Sequence, residues 1–443
     1  MNSLPEKYIH TFADVVRTTF SSIRHRNYRL FFTGQIISLI GTWLQATALS
    51  WLVYSLTRDA RALGLMAFLG AVPVLLLGAY AGTIADEYPK RRILVITQSA
   101  AGFFALVLAL CVWQGWTSLW VLGSINVMMG IVIAFDLPTR QAFVVEMVGK
   151  KDISNAIALN SAIFNGARLI GPAIGAAIIA GISIEVCFFL NGLSFIAVII
   201  GLLMMRLDTP LREPRNAKIS RFDSMKEGVK YLYTIPNYRA LMTLVIGMTL
   251  FAWSYTVNLP VIAVEILHGD SATYGILLSA NGLGALGAAL TQAAFGAKMR
   301  PRYMLFLAIT TFVIAMTLIP LMQTIVPILF LLGVAGWSII SFFITANSTL
   351  QRFVPDELRG RVMGIYSLSF AGLFPFGSLL AGYLTHEYGV SVALWVDSVI
   401  VALIAIPTYL FVRTLPRLAD VVERSQTSSI SAEIYQRHKK AVV

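Results

Sequence analysis

Charged residues set inside apolar sequence are the groups here with chemistry to offer. Asp136 and Asp397 are two carboxylates within reach of a membrane interior. A carboxyl group withdrawn from water holds its proton more tightly, so each is a candidate proton-coupling group. Arg168 is the one basic residue in the middle of an apolar run, and it shares a helical face with Ser161, Asn165 and Pro172 at steps of 4, 3 and 4. That face should turn into protein, where the guanidinium is suited to hold an anion or a carboxylate such as Asp136. The structural alternative is a fixed ion pair that sets helix register. Arg140, one turn beyond Asp136, reads as part of a charge network at the inner loop.

Other chemistries find no footing in the sequence. The five histidines, His10, His25, His268, His386 and His438, are scattered without metal-ligand spacing, so no metal site is expected. Cys111 and Cys187 both lie in apolar runs and suggest no disulfide framework. No phosphate-binding loop for a nucleotide occurs; the single G-x-G-x-x-G, at Gly282, Gly284 and Gly287, sits in an apolar helix and reads as close helix packing. No acid–base constellation for an enzyme can be assembled. Without a cofactor or nucleotide, the energy source should be an ion gradient, with protons first.

The elements that carry these groups follow from composition. Of 443 residues, 57% are apolar and only 13% charged, with a mean hydropathy of +0.75. Soluble domains carry about 25% charged residues, and a membrane span uses about 20 apolar ones. A polytopic membrane protein of about twelve spans results, an all-α fold. Spans are expected near 28–56, 62–85, 93–113, 116–137, 153–182 and 185–205, then near 240–265, 272–297, 303–322, 325–349, 362–385 and 390–412. The chain thus divides into an N-terminal segment 1–27, a six-helix bundle 28–206, a polar linker 207–239, a second bundle 240–412 and a tail 413–443. Phe12, Val16, Phe20 and Ile23 predict a short helix on the membrane surface, and the linker has room for another.

Of the 34 Lys and Arg, 31 fall on the side that holds both termini, against Arg58 and Arg61 on the other. The positive-inside rule makes that side cytoplasmic. The net charge of +12 then describes a face lying on anionic lipid, and no nucleic-acid partner is expected. The halves also repeat. Lys90-Arg91-Arg92 is echoed by Arg300-Pro301-Arg302, Asn191 by Asp397, and Pro172 by Pro375. Two parallel six-span repeats form a transporter architecture, with substrate held near the midplane. Polar stripes mark two spans: Gln35, Ser38, Thr42 and Gln45 on the first, and Ser338, Ser341, Thr345 and Ser348 on the tenth. They should face the bundle interior or a wet cavity, with interhelical hydrogen bonding as the alternative. Asn126, Asn258 and Asn281 are weaker candidates of the same kind.

Gly82-x-x-x-Asp86-x-x-x-Lys90-Arg91 resembles the loop signature of the major facilitator superfamily. Asn27 through Trp43 to Trp51, Leu63-Gly64-Leu65, Pro138-x-Arg140-x-Ala142 and Asn165-x-Ala167-Arg168-x-x-Gly171-Pro172 resemble its enterobactin-exporter-like, secretion-effector-type branch. The resemblance implies a twelve-span efflux permease of the inner membrane, usually of drugs, siderophores or other amphiphiles, working by alternating access as a monomer. It makes spans 1 and 10 transport-path walls. It makes Gly82, Asp86, Lys90, Arg91 and Arg140 an inner gate, with Asp86 latched to the start of span 11 and Gly82 allowing close helix approach; the alternative for Asp86 is an exposed acid beside the basic cluster. Gly171-Pro172-x-x-Gly175 is similar to the kink associated with antiporters. The chain departs from the family pattern at Glu87 and Pro89, and carries Thr42 where many relatives have an acid. An uptake symporter or a lipid or lysolipid transporter on the same fold is the alternative, and a non-transporting receptor a distant third.

Overall fold

A computed structural model describes residues 21–206, 221–296 and 299–412. Among them twelve helices are long and apolar enough to cross a membrane: Arg26–Thr57, Ala60–Glu87, Lys90–Trp113, Leu119–Gly149, Asn155–Gly181, Ile184–Leu203, Pro236–Ile266, Ser271–Phe295, Pro301–Leu321, Ile325–Phe353, Leu358–Tyr388 and Val390–Tyr409. They are spans 1 to 12, and no strand occurs among the described residues. Each apolar run predicted above holds one of these helices.

The differences lie at the ends. Span 4 does not stop near residue 137 but continues through Pro138 to Gly149, three turns further. Helical propensity and packing carry it past a proline that removes one backbone bond. It breaks at Gly149, whose φ of 69° and ψ of 178° belong to backbone that glycine adopts at least cost. A helix, Arg221–Thr234, occupies the linker, and span 7 begins at Pro236. Ser21–Arg24 forms one 3-10 turn, pinned to the start of span 5 by Ser21 Oγ donating to Asp152 Oδ1 at 2.9 Å. Most of the expected surface helix at 12–23, and the tail 413–443, lie outside the described residues.

The chain forms two compact units: residues 1–56, 69–215 and 270–279 in one, residues 57–68, 216–269 and 280–443 in the other. In lipid, helices are drawn together by close packing of small residues rather than by apolar burial. In the first unit, a Cβ at Gly34 would stand 2.9 Å from Val198 Cα, and one at Gly41 would stand 2.6 Å from Asn191 Oδ1. These glycines seat span 1 directly on span 6. Tyr28, Phe31, Leu94, Phe143, Val198 and Leu202 close an apolar core at the same end of the unit. The opening turns of span 8 also belong here, where Gly275 fits against Ala176 and the Pro172 carbonyl of span 5.

The second unit repeats both devices. Gly247 of span 7 faces span 12, where the Ile404 side chain fills the space beside it, its Cδ1 2.8 Å from the Cβ position. The opening turns of span 2 pack here on span 11, with the Cβ position of Gly64 only 2.5 Å from the Ser378 carbonyl and that of Gly382 2.5 Å from the Ala60 carbonyl. Phe68 and Phe376 continue the seam, ring centroids 5.6 Å apart. Span 7 is irregular: π turns at Met248–Ala252 and Ile262–Ile266 flank a 3-10 turn at Trp253–Asn258. Such departures from the α pattern recur at functional positions.

Candidate functional site

The sharpest polar feature lies within the first unit, where spans 1, 3 and 4 meet. Because span 4 stays helical past Pro138, Arg140 falls one turn from Asp136 on the same face. Their side chains form an ion pair, Arg140 donating through Nη2 to Asp136 Oδ2. Asp136 Oδ1 also accepts from Thr97 Oγ1 at 2.9 Å and from Gln98 Nε2 at 2.6 Å. Arg140 Nη1 donates to Gln35 Oε1 at 2.8 Å. The Asp136 side chain is 6% exposed and that of Arg140 28%. The carboxylate is thus buried while its cation has a route to water.

This arrangement corrects two expectations. The partner of Asp136 is Arg140 rather than Arg168, and Arg140 belongs to this buried pair rather than to a surface loop, because the loop expected there is helix. Thr97 and Gln98 were missed. An adjacent hydroxyl and amide inside span 3 were a usable signal, since polar side chains in a span need a partner.

Elsewhere in the first unit, Gln45 Oε1 accepts from Asn191 Nδ2 at 2.8 Å, tying span 1 to span 6. Thr42 donates to the Ser38 carbonyl of its own helix at 2.8 Å. Asn126 lies against Gly70, where an added Cβ would stand 2.9 Å from its Nδ2. Arg168 is 8% exposed and stacks over Trp43, 5.7 Å from the ring centroid, a cation–π geometry. Below it, a Cβ at Gly171 would stand 2.6 Å from Trp43 Cβ and 3.1 Å from the Ile40 carbonyl, and one at Gly175 3.4 Å from the Leu44 carbonyl. Pro172 stands between these two contacts, so the proline segment is a tight seam with span 1 on one side and span 8 on the other.

In the second unit, Asn281 Nδ2 donates to the Tyr255 hydroxyl and lies 3.4 Å from the Leu332 carbonyl. The span 10 stripe is engaged by its neighbours. Gln292 of span 8 donates to the Ser341 carbonyl at 3.3 Å and to Thr345 Oγ1 at 2.8 Å, and Ser338 pairs with Thr311 of span 9 at 2.7 Å. Among the buried side-chain atoms here without a hydrogen-bond partner are Ser341 Oγ, both polar atoms of Asn258, Thr385 Oγ1 and Asp397 Oδ2. Buried polar atoms of this kind ordinarily find a partner.

At the end rich in Lys and Arg, Lys90 pairs with Glu146 of span 4 at 2.7 Å, and Arg91 donates to the Leu203 carbonyl of span 6 at 2.6 Å. Asp86 is exposed. Gly82 differs from expectation: a Cβ there would meet nothing within 4 Å, so no close helix approach depends on it. Among the described residues no group of three or more His, Cys, Asp or Glu side chains could hold a metal ion.

Comparisons with known proteins agree with this architecture. A family described as transmembrane secretion effector matches residues 17–439. A staphyloferrin A transporter of Staphylococcus aureus is 29% identical over 380 residues, covering 82% of this chain and 90% of that protein. The multidrug efflux pump Tap of Mycolicibacterium fortuitum is 26% identical, covering 79% and 87%. The enterobactin exporter EntS of Escherichia coli O1:K1 is 22% identical, covering 81% and 85%. Among solved structures, the nucleoside transporter NupG superposes with a TM-score of 0.70 at 11% identity, covering 86% of this chain and 98% of that one. A bacterial homologue of the lysosomal transporter Spinster, in an inward-facing occupied conformation, gives 0.68 at 13%, covering 88% and 97%.

Proposed function

The chain belongs to the transmembrane secretion effector family of major facilitator transporters, and from that premise we propose that it exports an amphiphilic small molecule across the inner membrane in exchange for protons. The protein is a membrane transporter and not an enzyme; the export direction, the substrate class and the coupling ion are the proposal. The observation that carries it is the buried network of Asp136, Arg140, Gln35, Thr97 and Gln98. In this reading a proton delivered to Asp136 releases the Arg140 guanidinium for a substrate anion or for water. Alternating access couples that exchange to transport. Arg168 over Trp43 supplies a second buried cation with an aromatic face, which suits an amphiphile carrying negative charge better than a neutral sugar.

The test is efflux measured in inverted vesicles from a deletion strain carrying the restored wild-type chain or Arg168→Lys. Wild-type vesicles should accumulate the compounds to which the deletion strain is hypersensitive, and should lose them when the proton gradient is collapsed. Arg168→Lys keeps the charge but loses the planar guanidinium, so it should assemble normally and lose most transport. Full transport by Arg168→Lys, together with misassembly of Arg168→Ala, would reduce Arg168 to a structural residue.

Orientation has its own check. Both termini are proposed to be cytoplasmic, as the charge bias requires. Cysteine tags at Trp116 and Gly389 should label from outside, whereas tags at Lys150 and Ser220 should label only after permeabilisation. Outside labelling at Ser220 would invert the topology.

A further inference from the structure

The second unit contains a charged cluster that transport as described above does not use. Asp59 sits between spans 1 and 2, just ahead of the first turn of span 2. Its Oδ1 accepts from the Arg61 backbone N–H at 2.8 Å, capping the start of that helix. Its Oδ2 receives Arg61 Nη2 at 3.0 Å. His386, in the last turn of span 11, places Nδ1 2.9 Å from Asp59 Oδ1. Glu387 stands 4.0 Å from Arg61 Nη1. Around the imidazole, Asp59 pairs with it directly, Arg61 pairs with Asp59, and Glu387 and Tyr383 face Arg61. Just beneath the cluster lies the glycine seam of Gly64, Ser378, Gly382 and the Ala60 carbonyl.

We propose that His386 is a positioning residue for transport: through Asp59 it clasps the first turn of span 2 to the last turn of span 11, and its protonation tightens that clasp. Imidazole is the side chain that changes charge between about pH 5 and 8. Burial works to raise the Asp59 pKa, but hydrogen bonds from the Arg61 side chain and backbone, with the charges of His386 and Arg61, hold it below the ordinary carboxylate range. Asp59 stays anionic. With the imidazole charged the contact is an ion pair; with it neutral the contact is a hydrogen bond alone. The seam below has no side chains to interdigitate at Gly64 and Gly382, so its closure is sensitive to the force applied at its rim. For its consequence the inference rests on the export reading and on the proposed orientation, which puts this end outside. Acid on that face then holds the exit shut.

The test uses full-length protein in nanodiscs with spin labels at Leu65→Cys and Leu380→Cys, both exposed positions flanking the seam. The native Cys111 and Cys187 are buried and do not compete for label. The ratio of short to long inter-label distances should rise about three- to fivefold from about pH 8 to about pH 5.5, the range of a partly exposed ion pair. His386→Gln retains a hydrogen-bond donor without titrating, and it should flatten the response, as should Asp59→Asn. A full response in His386→Gln, or none in the wild type, overturns the proposal. In vesicles, acidifying the face that bears His386 should slow substrate release by the wild type and not by His386→Gln. Absence of any wild-type export would defeat the export reading and leave the distance result to judge the clasp.

Discussion

An Arg140→Ala variant is expected to lose about 3 kcal/mol of stability and all gradient-driven export. Removing one partner of a buried pair leaves an uncompensated charge, which costs roughly 3–5 kcal/mol. The lower figure applies here because the Arg140 side chain is 28% exposed and water softens the loss. Asp136 would keep Thr97 and Gln98, two neutral donors that do not replace a cation. The double variant Asp136→Asn, Arg140→Gln removes both charges and retains polar side chains for Gln35, Thr97 and Gln98. It should recover most of the stability and none of the export. Thermal unfolding in detergent reads the first quantity and vesicle efflux the second. Export by the double variant near the wild-type rate would mean that the pair only holds helices together. A double variant as unstable as Arg140→Ala would mean that the charges were not the source of the loss.

Gly171→Ala is expected to destabilise by about 1–3 kcal/mol, a large effect for one methyl group. The added Cβ would lie 2.6 Å from Trp43 Cβ, 3.1 Å from the Ile40 carbonyl and 3.3 Å from the Leu44 N–H nitrogen. These neighbours are the backbone and innermost side-chain atoms of span 1, so no rotamer change relieves the clash. The two helices must separate, and the stacking of Arg168 on Trp43 separates with them. Gly166→Ala, one turn earlier in the same helix, meets nothing within 4 Å and serves as the control. Equal unfolding temperatures and equal export for the two variants would show that the seam tolerates expansion.

Most of the fold was legible because lipid enforces a simple rule: each apolar run of sufficient length must be a helix with its backbone satisfied internally. Span limits such as Val390 and Trp113 therefore agree to within a few residues. The apolar run of span 4 ends near residue 137, but the helix continues through Pro138, because in a membrane helix the groups freed by proline find other partners. The spacing of Asp136 and Arg140 is plain in the sequence; that they pair inside the bundle depends on the helix continuing. Asp136, Gln35 and Arg140 are each visible as polar residues in apolar runs, but their contact joins spans 1 and 4 and is a tertiary fact. Gly82 shows the reverse: its motif is plain in the sequence, yet the structure makes no close contact there. Gly64, in the Leu63-Gly64-Leu65 motif, and Gly275, which no motif marks, are close packing points of the opening turns of spans 2 and 8.

The seam between the opening of span 2 and the end of span 11 imposes a schedule on biogenesis. Residues 57–68 are made early, but Ser378 and Gly382, against which Gly64 and the Ala60 carbonyl rest, follow more than 300 residues later. At about 5–20 residues per second, the nascent chain waits roughly 15–60 seconds with a glycine-lined backbone face turned to lipid or to the insertion machinery. Carbonyls on that face remain bonded within their helix, so the wait is tolerable, but the side-chain-free groove has no native occupant. A chain interrupted before residue 378 never acquires one. Ribosomal stalling or a nonsense mutation before residue 378 should therefore yield a product in which even span 2 is marked for membrane proteolysis.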